Sequence, residues 1–106
     1  MNLTAQHEQG VCKLAIEGDL TIYHAQALRT GLLEHLGANS SVEINLAGVG
    51  EIDTAGIQLL AAAKLEAERT NKTLRLVAHS PATLEAIDLY NLAQQLGDPL
   101  VIPAQA

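Results

Sequence analysis

Between residues 42 and 57 the hydrophobic period of the chain changes, and that change constrains the fold more than any other feature. Val42, Ile44 and Leu46 alternate with Glu43 and Asn45, the period-2 pattern of a strand with one buried face. From Ala55 to about Thr70, Ile57, Leu60, Ala61 and Leu65 recur at helical spacing, with Lys64, Glu66, Glu68 and Arg69 on the wet side. Ala47-Gly48-Val49-Gly50 reads as a loop between them. Glu51-Ile52-Asp53-Thr54-Ala55-Gly56-Ile57 then sets a hydroxyl, flanked by an aspartate and small residues, where the helix opens. Unpaired backbone N–H groups at such a place favour an anion.

The same alternation of periods runs through the rest of the chain. Cys12, Leu14 and Ile16 alternate with Lys13, Ala15 and Glu17, a strand that Gly18-Asp19 ends. Ala25, Leu28, Leu32, Leu33 and Leu36 predict a helix from Tyr23 to Leu36, stopped by Gly37. Leu74, Leu76 and Ala78 predict a third strand, and Ser80-Pro81 a helix start, with Ser as cap and Pro at the first helical position. Leu3 to Gln6 adds a weak first strand, Asn91 to Leu96 a short helical turn, and Leu100 to Ile102 a last short strand. Strands alternating with helices imply α/β architecture: a mixed, mainly parallel sheet of four to five strands with about four helices. The strands alternate polar and apolar instead of running continuously apolar, so the helices are expected mainly on one face.

Residues 1–106 are enough for one domain and too few for two. With 48% hydrophobic and 17% charged residues, the chain should fold rather than stay disordered. The net charge of −6 and the restriction of aromatics to Tyr23 and Tyr90 argue against nucleic acid as a partner. Cys12 is the only cysteine, which excludes an internal disulfide and a thiolate metal cluster, and its alternation with Leu14 makes it a small buried residue. His7, His24, His35 and His79 lack metal-ligand spacing and read as surface histidines, so no metal or cofactor is expected. The N-terminal stretch lacks the basic and apolar regions of a secretory signal, and no apolar run reaches membrane-spanning length. A cytoplasmic protein that is not membrane-inserted is the expectation.

Thr54 admits two readings from the residues alone. It is a helix cap or first-turn residue, stabilising by about 1 kcal/mol and signalling nothing further, or Asp53 is the cap and the Thr54 hydroxyl stands free at the helix mouth. Ile57 three residues on excludes a capping box. Asp19, Glu43, Glu51 and Asp53 are more readily solvated carboxylates than an acid–base pair, so no enzyme is expected. Gly48, Gly50 and Gly56 do not form a nucleotide-binding loop; they permit a tight turn and close helix packing.

Glu51-Ile52-Asp53-Thr54-Ala55-Gly56-Ile57 resembles the Asp-Ser-Ser-Gly-Leu signature of STAS domains, the sulfate-transporter and anti-sigma-factor-antagonist module. Glu17-Gly18-Asp19-Leu20 is similar to the family's Gly-Glu-Leu segment, and Leu89-Tyr90-Asn91-Leu92 to its late helix end. The resemblance spans nearly the whole chain and implies a STAS-like sheet with helices over 1–106. In anti-anti-sigma members, the residue after the signature Asp is phosphorylated by a partner kinase that is also the anti-sigma factor. The matching position here is Thr54, followed by Ala55 where the signature has its second Ser. The resemblance implies a partner surface of Gly50, Glu51, Asp53, Ala55 and Gly56, with Asp19 and Thr21 from the earlier segment. The implied partner is an anti-sigma factor or Ser/Thr kinase, in a stress or chemotaxis cluster given the likeness of Leu20-Thr21-Ile22-Tyr23 to chemotaxis-associated members. The Leu-Tyr-Asn-Leu segment is also similar to the small STAS subunit of phospholipid-transport ABC systems, which would make the partner a transporter ATPase.

The charge and aromatic content predict that DNA or RNA run with the purified protein in a gel-shift assay at physiological salt migrates as free nucleic acid. Sequence-independent retention would contradict the exclusion.

Overall fold

The computed structural model describes residues 1–89. Their elements follow the order β1 (Asn2–Glu8), β2 (Val11–Leu20), α1 (Ile22–Ala38), β3 (Ser41–Ile52), α2 (Thr54–Arg69), β4 (Thr73–Val77) and α3 (Pro81–Leu89). The strands form one sheet in the order β1-β2-β3-β4. β1 and β2 are an antiparallel hairpin whose two-residue turn, Gln9-Gly10, has φ of 51° and 80°. Two consecutive positive φ values give the turn whose twist matches that of the flanking strands, and Gly10 adopts its value without steric cost. β2, β3 and β4 are parallel, with α1 crossing over from β2 to β3 and α2 from β3 to β4. The sheet is therefore mixed and mainly parallel, as the alternating periods predict. The predicted turn at 91–96, the last strand at 100–102 and the segment from Tyr90 onward lie outside the described residues.

Register explains which face is dry. Cys12 pairs with Val42 and Val42 with Leu74; one step on, Leu14 pairs with Ile44 and Ile44 with Leu76. All six are buried, under Leu28, Leu32 and Leu36 of α1 and Leu60, Ala63 and Ala67 of α2. The opposite face carries Lys13, Glu43 and Arg75 side by side, with Arg75 3.9 Å from Glu43 and Lys13 3.2 Å from Glu8. These pairs are partly or largely solvated and add little stability. α3 caps itself: Ser80 Oγ accepts the Thr83 N–H at 3.2 Å, with both residues buried. Burial pushes the Cys12 thiol up, and its Sγ lies 3.9 Å from His35 Nδ1. His24, His35 and His79 are half-buried; of the four, His7 alone is exposed as expected.

Three local expectations are corrected. Ala47–Gly50 is not a loop but the second half of β3, and β2 does not stop at Gly18-Asp19 but continues to Leu20. The alternation fails there because β3 holds two extra residues. Leu46 and Ala47 oppose Ile16, and Gly50 and Glu51 oppose Asp19. Each bulge keeps the next apolar residue inward, so Leu46, Val49 and Ile52 follow at intervals of three. The Ala47 N–H donates to Asn45 Oδ1 at 2.8 Å. Gly37 does not end α1; it has no left-handed backbone, and the helix runs on to Ala38. Its last carbonyls are satisfied from outside, Leu36 and Gly37 by Lys72 Nζ and His35 by the Asn39 amide.

Leu60 is fully buried as expected, whereas Leu65, expected on the same buried face of α2, is instead 66% exposed. Leu60→Ala should cost about 2–5 kcal/mol in chemical denaturation, and Leu65→Ala about 0.5 kcal/mol or less. Equal losses would contradict the orientation of α2.

Candidate functional site at the two helix mouths

β2 and β3 are parallel and end together at the pair Leu20–Ile52, so the helices that follow them open side by side. α1 begins at Ile22 after Thr21, whose side chain makes no cap hydrogen bond. α2 begins at Thr54 after Asp53, whose side chain does. The Asp53 carboxylate is shared between them. Its Oδ1 accepts the Gly56 N–H at 3.0 Å and its Oδ2 accepts the Ile22 N–H at 2.9 Å. One residue thus caps its own helix and the neighbouring one. Neither first turn carries another acidic residue. The Ile22 and Gly56 hydrogen bonds hold the Asp53 carboxyl below the ordinary aspartate range, because they favour its charged form.

Backbone bonds fix the rest. The Asp53 N–H reaches the Leu20 carbonyl at 3.3 Å, and the Thr21 carbonyl accepts from His24 and Ala25, both at 2.9 Å. Gly56 is buried where α2 crosses the strand ends. A Cβ there would lie 2.2 Å from the Leu20 carbonyl oxygen, so no side chain fits without moving the helix.

This edge gathers Asp19, Thr21, Gly50, Glu51, Asp53, Thr54 and Ala55. Thr54, Glu51, Gly50 and Asp19 are exposed; Thr21, Asp53 and Ala55 are half-buried. A Cβ on Gly50 would lie 3.2 Å from Asp19 Oδ1, which places the two segments against each other. Gly56 shapes the surface from beneath. Asp53 is the cap of α2, and Thr54 is its first helical residue. Segments 19–24 and 50–56 contain no Lys or Arg, so the edge is acidic. Ile22 and Tyr23, not among the site residues expected from the sequence, share this edge and are 68% and 90% exposed in the first turn of α1. The available signal was their position off the stripe formed by Leu28, Leu32 and Leu36. Among the described residues no group of three His, Cys, Asp or Glu side chains is placed to hold a metal ion, and no helix is long and apolar enough to cross a membrane.

A family model described as "Mlab, STAS domain" matches residues 3–102. No curated protein matches the chain in sequence. Among solved structures, an anti-sigma factor antagonist from Mycobacterium paratuberculosis superposes with a TM-score of 0.81 at 22% identity, over 94% of this chain and 86% of that one. The Bacillus cell fate determinant SpoIIAA in its phosphorylated form gives 0.69 at 16% identity, over 94% and 93%. The murine anion transporter Slc26a9 gives 0.73 at 19% identity over 88% of this chain, which corresponds to 16% of the transporter. At these identities the likeness is one of fold.

Asp53→Ala removes two caps and should destabilise the domain by about 2 kcal/mol, each cap being worth roughly 1 kcal/mol. Asp53→Asn has one acceptor oxygen for two N–H groups and should lose about half of that. The pH dependence has a defined sign. The carboxyl is held below its unfolded value, so its contribution is complete above about pH 4 and is lost as pH falls through the lower folded value. Denaturation midpoints between pH 2 and 6 should show this acid limb in the wild type and a flatter one in Asp53→Asn. Identical limbs would remove Asp53 from the role.

Proposed function

The chain belongs to the STAS family, and on that basis we propose that it is a non-catalytic, regulated protein-binding domain of the anti-sigma-factor-antagonist kind. Its control point is Thr54, phosphorylated by a partner Ser/Thr kinase. The kinase transfers the terminal phosphoryl group of ATP to Thr54 Oγ1, the hydroxyl proton leaves, and ADP is released. ATP and Mg²⁺ belong to the kinase, and this chain is the substrate. The protein acts in the cytoplasm as one domain over 1–106.

The observation that carries the reading is the exposure of Thr54 directly after a carboxylate already committed to two helix mouths. A phosphate there would bring about 1.5 to 2 negative charges at neutral pH. An unoccupied helix mouth would welcome them. Here Asp53 already occupies it and Glu51 stands beside it, while neither adjoining segment supplies a cation. The phosphate therefore projects as uncompensated charge. A partner docked over Gly50, Glu51, Asp53, Thr54 and Ala55, with Asp19 and Thr21 at the border, would have to bury it at a cost of several kcal/mol. That is enough to release a micromolar partner, whose whole binding free energy is about 8 kcal/mol. The likeness to SpoIIAA in its phosphorylated form supports a fold that tolerates the modification.

A second reading is favoured by the Mlab description of the matching family model. In it the chain is a constitutive STAS subunit bound to the ATPase of a phospholipid-transport ABC complex, and Thr54 is a contact. The same fold within the Slc26a9 transporter chain lends it support.

Calorimetry against a kinase-like anti-sigma factor and against a transporter ATPase, each taken as candidate partner, separates the two. Under the first reading Thr54→Ala binds as wild type and resists kinase treatment, whereas Thr54→Glu binds at least tenfold more weakly with an unchanged melting temperature. Wild-type affinity in Thr54→Glu gives the constitutive reading the lead.

A further inference from the structure

A groove runs along the surface between α1 and α2. Two adjoining cavities of about 470 and 380 Å³ form it and share Arg29, Leu59 and Ala62. One reaches Ile22 and Ala55, beside Thr54; the other reaches Gly37 and Thr70 at the far ends of the helices. From Ile22 to Gly37 the groove extends about 22 Å at 1.5 Å per residue, roughly four helical turns. Its lining is mostly aliphatic, and the alanines leave low walls.

Two charged groups line it. Glu66 is taken by Arg69, whose guanidinium donates to both of its oxygens at 3.0 and 2.5 Å. Arg29 is exposed, about two turns from either end, and among the described residues no carboxylate forms an ion pair with it. In a chain of net charge −6 the groove therefore presents an uncompensated cation at its centre.

The geometry points to this groove as the docking site for an amphipathic α-helix of a partner protein, one carrying a carboxylate midway along its apolar stripe to meet Arg29. The assignment rests on the reading of this chain as a protein-binding domain. Three arguments select a helix. The walls are helix interiors whose backbone groups are already paired, so they offer nothing to an extended peptide, which needs a sheet edge. A helix satisfies its own backbone and needs only side-chain contacts. Small residues such as Ala25, Ala55 and Ala62 allow it to approach at the short end of the usual interaxial range of about 8–10 Å. A single-tailed amphiphile fits less well, because its charge sits at one end while Arg29 stands in the middle. A helix seated here ends next to Thr54, so the groove and the control point are parts of one surface.

The test is to pan a display library of helix-forming 18-residue peptides against the full chain and titrate the selected peptide by calorimetry. The selected peptide should show an apolar i, i+3/i+4, i+7 stripe interrupted by Asp or Glu. Its affinity should fall at least tenfold with Arg29→Glu and with Ala62→Arg. It should stay unchanged with Gln6→Arg, an exposed residue paired with Lys13 on the open sheet face, all three variants melting like wild type. Replacing the peptide carboxylate by Lys should restore binding to Arg29→Glu. Selected peptides that are indifferent to Arg29→Glu, or that respond to Gln6→Arg, overturn the proposal. So does dodecyl phosphate displacing the peptide and binding Arg29-dependently with higher affinity. Thr54→Glu in the same titration keeps the two readings apart. If Arg29→Glu weakens binding and Thr54→Glu does not, the groove stands and the switch at Thr54 fails.

Discussion

The Asp53 carboxylate links the ends of two helices that the chain makes far apart. Parallel strands finish at the same edge of a sheet, so the helices after β2 and β3 start together, each with unpaired N–H groups pointing at the same spot. Two positive helix ends side by side repel, and each needs an acceptor. Thr21 supplies no side-chain cap to α1, and Asp53 supplies one to both helices. That shared anion ties the first turns of α1 and α2 together at the edge where Thr54, Ile22 and Tyr23 are exposed and the groove begins.

Asp53 stands in reach of Ile22 because of the irregularity of β3. Two extra residues lengthen this strand against β2 and twist its end. They preserve the inward facing of Val49 and Ile52 while bringing Glu51 to the surface. Gly56 completes the arrangement by letting α2 sit against the Leu20 carbonyl, an approach that a single methyl group would prevent. Strand bulges, capping aspartate and missing side chain are thus three parts of one close contact between α2 and the strand ends.

The surface so made suits a protein partner on physical grounds. Its mouth is acidic, with no Lys or Arg in segments 19–24 and 50–56, the feature on which the proposed phosphate control rests. Its flank is a long aliphatic groove with a central arginine. Apolar area with a few charges at fixed places gives both affinity and register. The open face of the sheet carries the ladder of Lys13, Glu43 and Arg75, whose charges are paired with one another and with Glu8.

Hydrophobic period, with the Ser80-Pro81 start signal for the last helix, determined the order of strands and helices from Leu3 to Leu89, because a residue's burial on a strand or helix repeats at 2 or 3.6 residues whatever it packs against. The one-sided covering of the sheet was legible for the same reason: Lys13, Glu43 and Arg75 could not lie under helices. The position of Thr54 at a helix start was legible from Asp53 and the small residues around it. The continuation of β3 through Ala47-Gly48-Val49-Gly50 was not, since bulges break the period and two glycines suggest a loop. Nor was the helix beyond Gly37, whose carbonyls are satisfied by Lys72, distant in sequence. The second cap made by Asp53 was invisible for a related reason. A hydrogen bond between residues 22 and 53 exists only once β2 and β3 have paired, and no local pattern encodes which neighbour an aspartate will reach. The groove is of the same kind: its residues are spread over two helices, and only their packing side by side makes a mostly aliphatic channel with Arg29 near its middle.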